Sequence, residues 1–177
     1  MPVGPLHLGF TLPVFSRFKM RLEFLPLAIG SFIPDMELLL MWPVMGGMEA
    51  ARGPMHSLLG ALTIDMIFAL AYAHFVAAPL ISWLSIKYPN DRAHIFAGID
   101  TNQRRMTNPT VVFSALVGTV SHVFIDLFSH PHNPLFWPWD PIEGLNLMPF
   151  GKLPSSVLMH AIAAILLVFA IMKYWRR

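Results

Sequence analysis

Four side chains that can ligate a metal lie in the most apolar parts of this chain: Asp35, His56, His122 and Asp126. His122 and Asp126 are four residues apart, so on a helix they stand on one face, one turn above the other. That pairing lets a single helix offer two ligands to one metal ion, as paired histidines do in zinc proteases. His130 extends the face by a further turn, and His132 follows just past Pro131. Asp35 comes directly after Pro34, in the middle of a hydrophobic stretch. The proline removes a backbone donor and bends the chain where the carboxylate must point inward. His56 opens a second apolar run in RGPMHSLLG (52–60), and His7 lies in a shorter apolar stretch. An ionisable group in hydrocarbon costs at least about 2.5 kcal/mol, which makes such residues functional candidates. Cysteine is absent, so any metal must be held by imidazole and carboxylate.

The surroundings of these residues are those of a membrane protein. Hydrophobic residues make up 55% of the 177 and charged residues 12%, about half the charged share of a soluble domain. Mean hydropathy is +0.58, and a water-soluble globule would lack the polar surface to cover itself. A net charge of +2 without a basic stripe argues against nucleic acid as a partner. The opening MPVGPLHLGF has no basic n-region or small-residue cleavage site, so no signal peptide is expected.

Four runs approach the roughly 20 apolar residues that a bilayer requires. They are Leu22–Met45, His56–Ala78, Val111–Phe128 and Ser156–Tyr174. Pro26, Gly30 and Pro34 interrupt the first, which predicts a broken or re-entrant helix. Pro79 is expected to end the second and leave residues 80–87 at the interface, with Trp83 at headgroup depth. Residues 4–16 are too short to span and should dip into the bilayer or lie on it. The fold class is therefore all-α: a polytopic helical membrane bundle of about four spans, in one domain covering 1–177, with a short N-terminal segment.

Lysine and arginine sort between the connecting segments. Arg17, Lys19, Arg21, Lys87, Arg92, Arg104, Arg105, Lys173, Arg176 and Arg177 share one side, and only Arg52 and Lys152 lie on the other. By the positive-inside rule both termini are cytoplasmic, and loops 46–55 and 129–155 face outward. Counting about 1.5 Å per residue inward from these cations places Asp35 and His122 roughly 20 Å deep. Asp126 and His56 follow further out, so these groups can converge in the middle to outer half of the membrane.

Other polar residues have plainer readings. Asp65 and His74 are expected to hydrogen-bond neighbouring helices. Asp91, His94 and Asp100 read as a solvated cytoplasmic loop. His160 has Ala164 one turn on, so no second His/carboxylate pair exists there. Glu37 and Asp140 are the carboxylates at hand for a general base.

The order His7, GSFIPD (30–35), RGPMHSLLG (52–60), SHVFID (121–126) and a Trp/Pro-rich turn resembles a known family. It is that of the membrane-bound metal-dependent hydrolases of bacterial and archaeal inner membranes, over roughly residues 1–140. Ala51 stands where that family has a histidine before Arg-Gly. The order is also similar to that of the all-helical zinc-dependent phospholipase C and P1 nuclease group. That resemblance implies Asp35, His56, His122 and Asp126 as ligands of a first divalent metal, expected to be zinc. Asp126 and His7 would help with a second, and His132 falls where the group has a further His. Asp35, His122 and Asp126 would be the catalytic set; the group's final HxxxE pair is absent. The implied activity is metal-assisted hydrolysis of a lipid or phosphoester at the bilayer. The competing reading is a non-catalytic metal-binding or ion-conducting membrane protein, which also uses broken helices near the midplane.

Overall fold

Proline and glycine decide where the first span breaks. In the computed structural model, which describes residues 6–18, 22–47, 50–88, 106–139 and 145–175, helix α1 is His7–Phe18, α2 is Phe24–Gly30 and α3 is Asp35–Met45. Between α2 and α3 the Asp35 N–H bonds the Phe32 carbonyl at 3.2 Å instead of reaching back four residues. The Ser31 carbonyl is thereby released from the helical ladder. Pro34 caps α3, whose first residue is Asp35.

The second span is built from more pieces than its hydropathy suggests. A short 3₁₀ turn, Pro54–His56, leads into α4 (Leu58–Leu62), whose N-cap Ser57 accepts from Gly60 N at 2.9 Å. After a break at Thr63 come α5 (Ile64–Tyr72), a π-helical stretch Ala73–Ala77 and α6 (Ala78–Lys87). Pro79 therefore does not end the helix, contrary to expectation, and Trp83 lies within it. Proline clashes with the carbonyl four residues back and lacks a donor, and the wider π turn just before it relieves both. α7 (Pro109–Asp126) starts with Pro109 at its first turn and Asn108 capping Thr110 N at 2.9 Å; α8 is Lys152–Trp175.

Phe24–Met45, Ile64–Lys87, Pro109–Asp126 and Lys152–Met172 are each long and apolar enough to cross a bilayer. The described residues contain helices and no strand. Polarity runs from inside to outside as lipid requires. Val44, Phe68, Phe75, Ile165 and Phe169 are exposed, while Thr119, His122 and Asp126 are buried. α2 packs along α7, and α5 along both. The α2–α7 contact depends on Gly30 and Gly118, since a Cβ on either would strike backbone of the opposite helix. Small residues at a membrane crossing allow this close approach. α1, too short to span, enters the bundle and packs on α8, with edges on α2 and α7. Its buried His7 and Thr11 face inward.

Candidate metal centre

The broken first span sets up the site. The carbonyl of Ser31 accepts from His122 Nδ1 at 2.8 Å. A carbonyl can only accept, so Nδ1 carries a proton and Nε2 is the ring atom left to meet the carboxylates. Glu37, one turn into α3, does the same for His56. Its Oε2 accepts from His56 Nδ1 at 3.0 Å, from Gly53 N at 3.0 Å and from Met55 N at 3.2 Å. His56 Nε2 is likewise the ring atom left over. Both Nε2 atoms are buried and have no hydrogen-bond partner.

These two nitrogens face two carboxylate oxygens. His122 Nε2 lies 3.4 Å from Asp126 Oδ2 and 3.6 Å from Asp35 Oδ1. His56 Nε2 lies 3.8 Å and 3.9 Å from the same two oxygens. Two imidazole nitrogens and two carboxylate oxygens thus converge. Tetrahedral zinc with bonds of 2.0–2.2 Å would hold its donor atoms about 3.3–3.6 Å apart. The observed set is slightly wider, and with both Nε2 atoms deprotonated its N and O donors fit a divalent cation. Asp35, with a side chain 16% exposed, is the open side of the set; the other three are buried.

His7 adds a second arm. Its ring stacks on His122 at 3.9 Å between centroids, and its Nε2 lies 3.5 Å from Asp126 Oδ1. Neither His7 ring nitrogen has a hydrogen-bond partner, so the imidazole is placed to act as a ligand. His7, His122 and Asp126 form one group with metal-ligand spacing, and Asp35, His56 and His122 form another.

Of the residues singled out in the sequence, His7, Asp35, His56, His122 and Asp126 come together. His132 belongs to neither group. His130 sits at Asp126 instead, with Nε2 3.8 Å from Oδ1. The helix hands over to a turn after Asp126, yet the His130 N–H still bonds the Asp126 carbonyl at 3.0 Å, which keeps the i,i+4 face.

Glu37 accepts three hydrogen bonds on Oε2 and positions His56. Asp140 lies outside the described residues, as do Asp91, His94 and Asp100. Asp65 is fully buried, but neither of its oxygens has a hydrogen-bond partner, unlike the interhelical bond expected of it. The ionisable groups that act on it are His122 and Glu37.

Arg52 was not among the expected site residues. Its Nη1 donates to Asp126 Oδ2 at 2.6 Å and to Asn133 Oδ1 at 3.1 Å. Asn133 in turn donates to the Asp126 and His130 carbonyls at 3.2 and 2.8 Å. The loop after α7 is thus folded over the site. Arg52 stands four residues before His56, and its charge inside a motif otherwise apolar was the available signal.

Partners that orient a ligand are worth about 10–100-fold in metal affinity. Glu37→Gln keeps the shape but weakens acceptance from His56 and two backbone donors, so zinc affinity should fall by about that factor. Competition titration with a chromophoric chelator measures it, and unchanged affinity would remove Glu37 from the site.

Fold and site define a polytopic helical membrane protein with a buried His/Asp cluster. The chain belongs, over residues 1–177, to the family described as Domain of unknown function (DUF4184). No curated protein and no solved structure matches it.

Proposed function

We propose that this protein is a membrane-embedded metal-dependent hydrolase, with zinc as the expected ion and a lipid or phosphoester as substrate. The observation that carries the reading is the convergence of Asp35 Oδ1, His56 Nε2, His122 Nε2 and Asp126 Oδ2, four ligand-type atoms whose imidazole–carboxylate pairs lie 3.4–3.9 Å apart. Those residues would hold the ion. When bound, it would polarise the scissile bond and supply a nucleophile at neutral pH. Glu37 and the Ser31 carbonyl fix the two imidazoles so that both Nε2 atoms face the Asp35 and Asp126 carboxylates. Arg52 and Asn133 clamp Asp126, and the partly exposed Asp35 side is where substrate would enter from the bilayer. Headgroups reach such a site by lateral diffusion.

Protein purified in detergent without chelator should retain about one or two divalent ions per chain, as the resemblance implies, and hydrolyse a phosphoester substrate; chelation should abolish the activity. Metal-free protein that still hydrolyses the substrate would refute the reading.

We also propose an inner-membrane location with cytoplasmic termini, which the distribution of lysine and arginine supports. A cysteine at Trp139, which is 80% exposed, should react with impermeant maleimide in intact cells. One at Tyr88, 57% exposed, should react only after permeabilisation. The opposite pattern would invert the orientation.

A further inference from the structure

The loop between α7 and α8 has two unlike faces. Its inner face is pinned to the bundle. Leu135 is buried beside Ala61, Val123 and Leu127, and its carbonyl accepts from Leu58 N at 2.9 Å. Asn133 donates to the carbonyls of Asp126 and His130. The far arm folds back onto the near one, with Leu145 N on the Asn133 carbonyl at 3.0 Å and Leu147 N on the Leu127 carbonyl at 2.9 Å. The other face is apolar: Phe136, Trp139, Leu147 and Phe150 are exposed. Among the described loop residues, 127–139 and 145–151, only His130 and His132 are ionisable.

Two demands fix where such a face can sit. Exposed rings with few ionisable neighbours call for a non-aqueous cover. The described loop residues form neither helix nor strand, and irregular backbone exposed to lipid is not tolerated in hydrocarbon. The headgroup layer meets both demands. It is apolar enough for rings and wet enough for peptide groups, and tryptophan collects there. The face is also continuous with the lipid-facing surface at both ends of the loop. Phe124 on α7 and Phe128 just after it are exposed, as are Leu153 and Val157 in the first turns of α8. Phe150 N donates to Ser155 Oγ at 3.0 Å, which ties Phe150 to the start of that helix.

We propose that the α7–α8 loop is an interfacial cap, whose aromatic face docks into the lipid headgroup layer while Asn133 holds its other face against Asp126. The partner of this surface is the bilayer itself, not a second protein. The His/Asp cluster then lies just beneath headgroup level, under a loop that lipid keeps in place. This placement stands or falls independently of whether the cluster is a hydrolase site.

The test uses the full chain in phosphatidylcholine liposomes. The sequence has no cysteine, so Phe136→Cys and Phe150→Cys can each carry a single nitroxide. Ile165→Cys, at an exposed position within α8, gives the hydrocarbon reference. Spin relaxation by oxygen, which favours lipid, is compared with relaxation by a neutral nickel chelate, which favours water. The oxygen-to-nickel ratio at 136 and 150 should be severalfold above that of free nitroxide in buffer and below that at 165. A ratio equal to that of free nitroxide places the loop in water and overturns the cap. A ratio equal to that at 165 overturns the headgroup placement. Poor access to both reagents marks a protein cover, from a second copy or another chain, and overturns it as well. Should the cysteine variants not fold, fluorescence decides. The emission that Trp139→Phe removes should be quenched by phosphatidylcholine brominated near the top of its acyl chains, and more than by lipid brominated near their ends. Emission that neither lipid quenches overturns the proposal. At headgroup depth, residue 139 stays within reach of an aqueous maleimide.

Discussion

Asp126→Ala is expected to lose the metal and to lower stability by about 3–5 kcal/mol, the usual cost of leaving a buried charge without its partner. Asp126 is 1% exposed and faces cationic or imidazole groups on every side. Its Oδ2 holds Arg52 Nη1 at 2.6 Å, and its Oδ1 lies near His7 and His130 at 3.5 and 3.8 Å. Removing the carboxylate strands the guanidinium with Asn133 alone. Asp126→Asn should behave differently. It keeps the volume and one acceptor for Arg52, so it should cost less stability, but it gives up the anionic ligand and should lose the metal too. Thermal unfolding in detergent, with metal content measured in parallel, separates the two effects. An Asp126→Ala variant that melts like the wild type would mean that the buried Arg52–Asp126 pair does not hold the loop to α7.

Some of this site was legible in the sequence because it obeys local periodicity. His122 and Asp126 share a face by their spacing alone, and an apolar helix carrying both had to turn that face inward. Asp35 was legible because proline dictates a break, and the break leaves Asp35 as the first residue of α3. What could not be read locally was the role of each residue across the bundle. Glu37 reads as a base at hand, and only the fold brings Gly53, Met55 and His56 to its Oε2 atom. Arg52 counted as an outward-loop cation; only the fold of residues 127–135 over α7 places Asn133 and Asp126 around it. His130 and His132 are both plausible ligands by type, and the turn after Asp126 decides between them. Pro79 misled for a different reason. A proline in a membrane helix need not stop it when a neighbouring π turn can absorb the clash, and nothing in residues 73–77 announces that turn. The second span was therefore misplaced at both ends, Ile64–Lys87 against the expected His56–Ala78, while the number of spans was as expected.

Asp35→Ala should act mainly through the metal. In the metal-free protein, Asp35 Oδ1 lies 3.6 and 3.9 Å from the Nε2 atoms of His122 and His56. Its side chain is 16% exposed, so water already meets part of it and its removal opens little of the core. Deleting it should lower metal-free stability by about 1 kcal/mol or less, as for a partly exposed ion pair. With zinc the difference widens. A ligand that binds only the folded state at 1,000 times its dissociation constant adds about 4 kcal/mol, and the wild type should show that gain. Asp35→Ala, short of one ligand, should show almost none of it. His122→Ala is the control for position, because it loses both the ligand atom and the bond to the Ser31 carbonyl at 2.8 Å, along with the stacked face of His7. It should be insensitive to zinc and also less stable without it. Melting curves of the three proteins with chelator and with excess zinc give the comparison directly. Equal zinc-dependent gains in the wild type and Asp35→Ala would show that Asp35 is not a ligand. A large loss of metal-free stability in Asp35→Ala would show that the carboxylate serves packing, with the convergence of the four ligand-type atoms having no part in binding an ion.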